Sequence, residues 1–254
     1  MTFCFFSKAN EDNCKIVMET LEDFCDISGQ SINLQKSVMF VSPNIHRSKA
    51  NALHFTTHIP ITKDLGKYLG VPLIHGRLNK GSCAFIVEKV QKRLAGWKAR
   101  LLNLAGRVTL IKHVTSSLPV YSMQTVELPI SVCDKLDSLN RNFLWGDTVD
   151  RKKVHLINWD TVCKSKDMGG LGIRNTRDAN LAMLSKLGWK LSKNDKGLWA
   201  QVLRKKYMRH VSPRPENFKR ISRNSHIWRG VVKTSKILKS GTKWRLGNGK
   251  DVSF

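Results

Sequence analysis

The chain has 254 residues, of which 41% are hydrophobic and seven are tryptophan, so its composition excludes a disordered chain and allows a sizeable core. Its 44 Lys and Arg residues outnumber 19 Asp and Glu residues, which gives a net charge of +25. No apolar run approaches the length of a membrane span. The six cysteines are irregularly spaced without a C-x-x-C pair, which predicts reduced thiols in an intracellular protein, nuclear or cytoplasmic rather than secreted.

The basic excess is confined to one part of the chain. Residues 1–75 contain seven basic and seven acidic side chains, whereas residues 76–254 contain all of the net +25. This change in net charge at residue 76 predicts a neutral N-terminal platform followed by a region that binds polyanions. Nucleic acid is the favoured partner, an anionic membrane surface is second, and a solvated basic surface is the remaining reading. No small-molecule substrate is evident.

The first predicted elements are strands around one helix. Apolar residues 3–6 predict a strand buried on both faces, which needs a partner for its backbone groups. Asn10 or Asp12 can cap a helix that extends to about Ile27. Alternating apolar side chains in residues 32–40 predict a second strand, and "KYLGVPL" predicts a third that ends at Pro72. Residues 43–63 between them are predicted to be an irregular connection.

From Ser82 onwards the apolar period becomes helical. One helix has Phe85, Ile86, Val90 and Leu94 on a single face, and a second follows Gly106 and stops before Pro119. Two further helices are predicted at 179–194 and 198–207. The core stripe expected of the last helix consists of Trp199, Val202, Leu203 and Tyr207. The C-terminal "TKWRLGNGKDVSF" predicts two strands joined by an Asn-Gly turn.

No catalytic constellation can be identified. His54 and His58 have the spacing of two metal ligands on a helix, but the threonines and the proline that follow disfavour a helix there. The glycines of "GGLGI" and "GNGK" match neither a phosphate-binding loop nor a dinucleotide fingerprint and predict turns. We therefore predict no catalytic residue from the pattern alone.

The binding signal is stronger, because basic residues alternate with apolar positions along both helices after Ser82. This pattern predicts a helical hairpin with one solvent-exposed cationic face that can follow a phosphate backbone. Trp97 either packs in the core or stacks on a sugar or base. A second basic region extends from Lys186 to Lys250. The candidate nucleic-acid-binding residues are Lys89, Lys92, Arg93, Trp97, Lys98, Arg100, Arg107, Lys112, Arg204, Lys205 and Lys206.

Several blocks occur in a fixed order along the chain: "SGQSINLQKS", "KYLGVPL", "RLAGWKARLLNLAGRVTLIKHV", "FLWG", "GGLGIRN", "LWAQVLRKKY" and "WRLGNGKDVSF". In this order they resemble the C-terminal half of plant LINE-type (non-LTR) retrotransposon reverse transcriptases, which are RNA-directed DNA polymerases. The resemblance implies a palm remnant at 1–75, thumb-like basic helices at 76–127 and a helical post-thumb region at 128–254. The implied fold is α+β, mostly α, with a small palm-remnant sheet.

The resemblance also assigns roles. Tyr68, Leu69 and Gly70 correspond to a grip on the primer end, and Lys36 to a proton donor for leaving pyrophosphate. The aspartates that bind catalytic magnesium fall on Met1 and Thr2, which cannot hold the ion as carboxylates do, so no cofactor and no polymerase activity are expected. The zinc-binding region of the family would begin about where this chain stops, so no zinc is expected either.

The function predicted from the sequence is therefore binding of RNA, DNA or their hybrid by a truncated retroelement derivative. Two alternatives remain open. One is a non-functional translated remnant, which the apolar opening run favours. The other is a basic scaffold that binds an acidic protein partner. The charge step at residue 76 favours retained nucleic-acid binding.

Overall fold

The computed structural model describes residues 4–64, 66–68, 71–73, 80–96, 101–147, 152–219 and 224–243. Within these ranges the chain is mostly helical. Its contacts divide it into two compact units, Met1–Gly76 (unit 1) and Arg77–Phe254 (unit 2). Each unit is described by itself. The assignment of palm, thumb and post-thumb names to parts of these units stays a prediction.

Unit 1 is built on two helices that pack against each other, α1 (Glu11–Ser28) and α2 (Arg47–Thr57). The predicted cap of α1 is confirmed, because the Asn10 side chain accepts a hydrogen bond from the Asn13 N–H at 3.3 Å. Gly29 ends the helix in the left-handed conformation, with φ of 66°, which glycine adopts without steric cost.

The predicted α+β fold with a palm-remnant sheet is wrong. In the described residues, the β structure consists of an isolated Met39–Ile61 bridge and one antiparallel pair of two-residue strands, β1 (Lys67–Tyr68) and β2 (Val71–Pro72). Residues 4–8 are coil, and Phe6 is 92% exposed. An apolar run forms a buried strand only where another strand satisfies its backbone groups, and no described strand lies beside this one. Residues 32–40 are likewise turn and coil apart from the Met39 bridge.

The structure also places a helix where the sequence predicts none. The irregular connection predicted at 43–63 is wrong, because α2 occupies its centre. The threonines there do not prevent a helix, since the Thr57 hydroxyl donates to the Leu53 carbonyl at 2.9 Å and closes the last turn. His58 follows in a left-handed conformation with φ of 56°. The C-terminal strand pair predicted beyond residue 243 lies outside the described residues, as does Phe3.

The first half of unit 2 contains α3 (Ala84–Leu94), α4 (Leu104–Leu110), the short α5 (Val120–Met123) and α6 (Ile130–Trp145). A π-helical turn, Ile111–Thr115, extends α4. The helix predicted from Ser82 is confirmed. One core cluster joins α3, α6 and the segment between α5 and α6, and its buried members are Cys83, Ile86, Val90, Met123, Leu128, Val132, Cys133 and Leu136.

The second half of unit 2 contains α7 (Trp159–Cys163), α8 (Thr176–Ser192), α9 (Leu198–Tyr207) and α10 (His226–Gly241). Trp228 is fully buried at the centre of a second core between α8, α9 and α10. Its ring stacks on Tyr207 with centroids 4.5 Å apart, and its indole N–H donates to the Lys219 carbonyl at 3.0 Å. The stripe predicted for α9 is wrong at Val202, which is 54% exposed, because the fully buried Ala200 takes the inner position.

Helices α8 and α10 approach closely because glycine stands at the contact on both sides. A Cβ added at Gly188 of α8 would lie 2.6 Å from the Leu238 side chain of α10. A Cβ added at Gly230 of α10 would lie 3.0 Å from the Leu184 side chain of α8. Each glycine therefore accepts a leucine of the opposite helix, and this interlock fixes the direction of α8.

Buried polar side chains also hold α8 in place. The Asn180 carbonyl oxygen accepts from the Leu128 N–H at 2.8 Å, and its amide donates to the Met123 and Val126 carbonyls at 3.1 and 3.0 Å. Asp137 of α6 accepts from the Thr176 hydroxyl at 2.6 Å and from its N–H, at the first turn of α8. Burial raises the pKa of Asp137, although these hydrogen bonds act to lower it.

Candidate nucleic-acid interface

The clearest cationic surface lies on α3. Lys89, Lys92 and Arg93 are exposed, while Ile86 and Val90 on the opposite face are 2% and 1% exposed. The predicted separation of a solvent-exposed face from a buried face is therefore confirmed for this helix. Its charges are available, because Lys92 and Arg93 form no ion pair with another described residue.

The two candidates on α4 and its π turn are less exposed. Arg107 is half-buried, and its guanidinium donates to the carbonyl of Leu144 at 3.4 Å near the end of α6 while lying 6.0 Å from the Phe143 ring. This arginine is therefore engaged in holding α4 against α6. Lys112 is also half-buried, and its ammonium nitrogen would lie 3.4 Å from a Cβ added at Gly172. Their use by a phosphate backbone would need these side chains to move.

Of the three basic candidates on α9, one is engaged within the protein and two are exposed. Arg204 donates to the Asn194 side chain and, at 2.6 Å, to the Asp195 carbonyl, so it ties α9 to the loop that follows α8. Lys205 and Lys206 are exposed. The Lys206 ammonium lies 5.4 Å from the centroid of the Tyr207 ring. Two of the three side chains are thus presented to solvent.

The remaining candidates lie on unit 1 or outside the described residues. Lys36 is exposed in a turn, where its backbone N–H donates to the Asn33 side chain at 3.1 Å. Tyr68 is the second residue of β1. Outside the described residues lie Leu69, Gly70, Trp97, Lys98 and Arg100. Roles for all of these residues stay predictions.

A second set of exposed side chains lies on α8 and was not singled out in the sequence. Lys186, Trp189 and Lys190 share its solvent face, and Lys193 is the exposed C-cap residue that follows it; in the sequence these lysines belong to the long basic region. Their spacing of three, four and seven residues was the available signal. The tryptophan concealed it, because an apolar residue in a helix is ordinarily assigned to the core.

The possible metal ligands and two of the buried or half-buried thiols can be judged from the described residues. Among the residues that the structure describes, no three His, Cys, Asp or Glu side chains lie together as a metal site would require. Cys133 is buried, and its desolvation, with the nearby Asp137 charge, raises its pKa to about 11. Burial raises the pKa of Cys163 to about 12. Both thiols are therefore protonated and weakly nucleophilic near neutral pH.

A polar cleft between α6, α7 and the start of α8 carries charges of both signs. Its lining includes Asp137, Arg141 and Trp159. It also includes the exposed ion pair of Arg177 and Asp134, in which Nη2 of the arginine lies 2.5 Å from Oδ1 of the aspartate. Because the carboxylates stand beside the guanidinium groups, this cleft is not a cationic site for phosphate. Exposed lysines and arginines of unit 2 occur elsewhere, among them those on the outer faces of α3, α8 and α9.

In the part of the chain that the structure describes, no helix combines the length and apolar character that a membrane crossing requires. No established family model matches the chain. Two proteins of Arabidopsis thaliana are similar to it. One, named "Putative ribonuclease H protein At1g65750", is 40% identical over 187 residues, which are 72% of this chain and 30% of that protein. The chain thus spans about 30% of the length of this relative.

The other is named "Uncharacterized mitochondrial protein AtMg00310". It is 31% identical over 134 residues, which are 52% of this chain and 86% of that protein. Because the match covers most of this shorter relative, the chain belongs to the same family as the mitochondrial protein.

Proposed function

We propose that the chain is a retroelement-derived protein, related to reverse transcriptases, that binds RNA, DNA or their hybrid through phosphate contacts. The observation that carries this proposal is the outer face of α3, where Lys89, Lys92 and Arg93 are exposed above a buried apolar face. Phosphate contacts supply most of the affinity in sequence-tolerant binding and need only accessible cations on a rigid support.

The distribution of charge supports the same proposal. The seven basic and seven acidic residues of unit 1 cancel, so unit 2 contains the entire net charge of +25. In the described residues of unit 2, the salt bridges of Lys and Arg are Arg177 with Asp134 and Lys233 with Glu127. Most of the cations of unit 2 are therefore left to attract a polyanion.

The relatives add a consistent but coarser argument. A ribonuclease H acts on nucleic acid, and the relative with that name shares 40% identity with 72% of this chain. Because the chain spans only 30% of that protein, we do not transfer its activity. The ordered blocks that resemble reverse transcriptases refine the proposal to a retroelement origin. The proposal concerns binding alone.

The experiment is a salt series of fluorescence anisotropy with a short RNA–DNA duplex. We compare the chain with the triple variant Lys89→Glu, Lys92→Glu and Arg93→Glu. Each phosphate contact contributes about 0.9 to the slope of log K against log salt, so three lost contacts should flatten it by roughly 2.7. Changing the duplex sequence should have little effect, since phosphate contacts carry no base information.

A matched control separates the α3 surface from net charge. Lys8, Lys15 and Lys49 of unit 1 are also exposed, and changing all three to Glu lowers the net charge of the chain by the same amount. This control should retain nearly the whole slope. Equal flattening in both variants would show that net charge alone governs binding, and an unchanged slope in a folded α3 variant would remove α3 from the interface.

A further inference from the structure

Trp189 has an unusual environment for a tryptophan in a helix. It is 42% exposed on α8, whereas Trp228 on the adjacent helix is fully buried. The inner side of α8 is already filled, because Leu184, Gly188 and Leu191 are buried against the core. Large aromatic rings usually contribute to cores or to binding surfaces. With the inner face occupied by other residues, a binding role accounts for this exposed ring.

The surroundings of Trp189 are cationic. Lys186 and Lys190 are exposed on the same face of α8, Lys193 is exposed as its C-cap residue, and residues 179–194 contain no Asp or Glu. The Lys193 ammonium lies 4.9 Å from the centroid of the Trp189 ring, which is a cation–π contact. An aromatic face within a group of lysines matches the two parts of a nucleotide, a flat base and an anionic phosphate.

We propose that Trp189 is a stacking platform for an unpaired base of single-stranded RNA or DNA, and that Lys186, Lys190 and Lys193 bind the flanking phosphates. This proposal rests on the proposed function and specifies its ligand. A duplex has its bases stacked on each other, so its accessible surface offers phosphates but few free base faces. A base can replace Lys193 above the ring, which frees the ammonium for a phosphate. An acidic protein segment would pair with the lysines without requiring the ring.

The test uses the full chain and two labelled oligonucleotides of about 15 nucleotides, within the upper range of known site sizes for single strands. One is an oligothymidine, and the other is its abasic counterpart, which has the same phosphates but no bases. Trp189→Ala should weaken binding of the oligothymidine roughly 5- to 150-fold, which corresponds to ~1–3 kcal/mol for a stacked base. Binding of the abasic strand should not change. Trp189→Phe, which keeps an aromatic face, should recover most of the loss.

The matched control is Tyr121→Ala, because Tyr121 is another exposed aromatic residue of unit 2 with no lysine within five positions. It should bind both strands like the unchanged chain, and far-UV circular dichroism should show every variant folded. Equal binding of oligothymidine by Trp189→Ala and the unchanged chain would overturn the platform while leaving the α3 proposal intact. An equal loss on both strands would also overturn it. A chain that binds neither strand nor the duplex would overturn both proposals.

Discussion

Unit 1 and unit 2 are both helical, but they bury their apolar side chains to very different extents. In the described part of unit 1 the buried hydrophobic residues are Cys14, Leu21 and Leu53, and large apolar side chains such as Phe6 and Phe55 are exposed. Unit 2 has three core clusters, with a fully buried tryptophan in one of them. The unit with the larger cores is also the one that has the net positive charge.

This difference indicates where a binding function can reside. Cations that must match a phosphate backbone need a rigid support, and in unit 2 the buried faces of α3 and α8 provide one. Unit 1 has no net charge, and its described residues form no comparable core. The comparison therefore favours unit 2 as the place of the proposed polyanion binding, and the difference in cores between the units can be tested directly.

The largest expected effect is on cooperative folding of the separated units. Residues 77–254 alone should show a cooperative thermal transition by far-UV circular dichroism, because their core clusters lie within the unit. Residues 1–76 alone should show a broad transition or none, since a unit of this size is marginal even with an ordinary core. A sharp transition in residues 1–76, or its absence in residues 77–254, would contradict the comparison.

The second experiment removes the largest buried side chain from unit 2. Trp228→Ala should lower the free energy of unfolding by about 3–5 kcal/mol, because it empties the space between Tyr207 and Phe218. Urea unfolding of residues 77–254 measures the change. Val202→Ala, on the exposed side of α9, is the control and should cost less than about 1 kcal/mol. Similar losses in both variants would show that the Trp228 core is not the main support of the unit.

The helices with one clear apolar face were predictable, whereas the strand expected at 32–40 was wrong and the described residues of 67–73 form only a pair of two-residue strands. The cap of α1 and the apolar period of α1, α3 and α9 are local signals, and the structure contains each helix within a few residues of its expected range. The strand expected at 32–40 rested on alternation alone, and a strand also needs a neighbour that a local pattern cannot reveal. The sequence does not reveal α2, because threonines and a nearby proline disfavour a helix, whereas the Thr57 hydroxyl bonds within it.

For the candidate interface too, the sequence predicts local features but not contacts between elements. The exposure of Lys89, Lys92 and Arg93 followed from the buried positions on α3. The internal engagement of Arg107 and Arg204 did not, because each donates to a backbone carbonyl in a different element, at Leu144 and Asp195. Contacts of this kind depend on how elements pack, so the sequence showed that these residues are charged but not that they are engaged.

The third experiment tests the interlock between α8 and α10 in unit 2. Gly188→Ala places a methyl group against Leu238 in a filled core, an overpacking that costs about 1–3 kcal/mol, offset by up to ~1 kcal/mol of helix propensity. Gly241→Ala at the end of α10 is the same substitution in open space and should be neutral or slightly stabilising. Thermal melts of both variants measure the contrast. Equal changes in melting temperature would show that the contact between α8 and α10 has room for the added methyl group.

The smallest expected effect is a dependence of unit 2 on pH that arises from Asp137. Burial raises its pKa, so the folded state favours the protonated form of Asp137 more than the unfolded chain does. The folded protein therefore binds more protons than the unfolded chain, and the stability contributed by protonated Asp137 is lost as pH rises through its raised pKa. Asp137→Asn removes this titration and keeps an oxygen that can accept from the Thr176 hydroxyl and N–H.

Urea unfolding of both proteins between about pH 4 and pH 7 measures the effect. The variant should gain stability relative to the unchanged chain as pH rises, by about 1 kcal/mol or less, because it retains the principal hydrogen bonds. Asp137→Ala should be less stable than Asp137→Asn at every pH, by ~1–3 kcal/mol, because the Thr176 hydroxyl and N–H lose their buried acceptor. A difference between the unchanged chain and Asp137→Asn that stays constant with pH, or reverses in sign, would mean that Asp137 is ionised without penalty in its buried position.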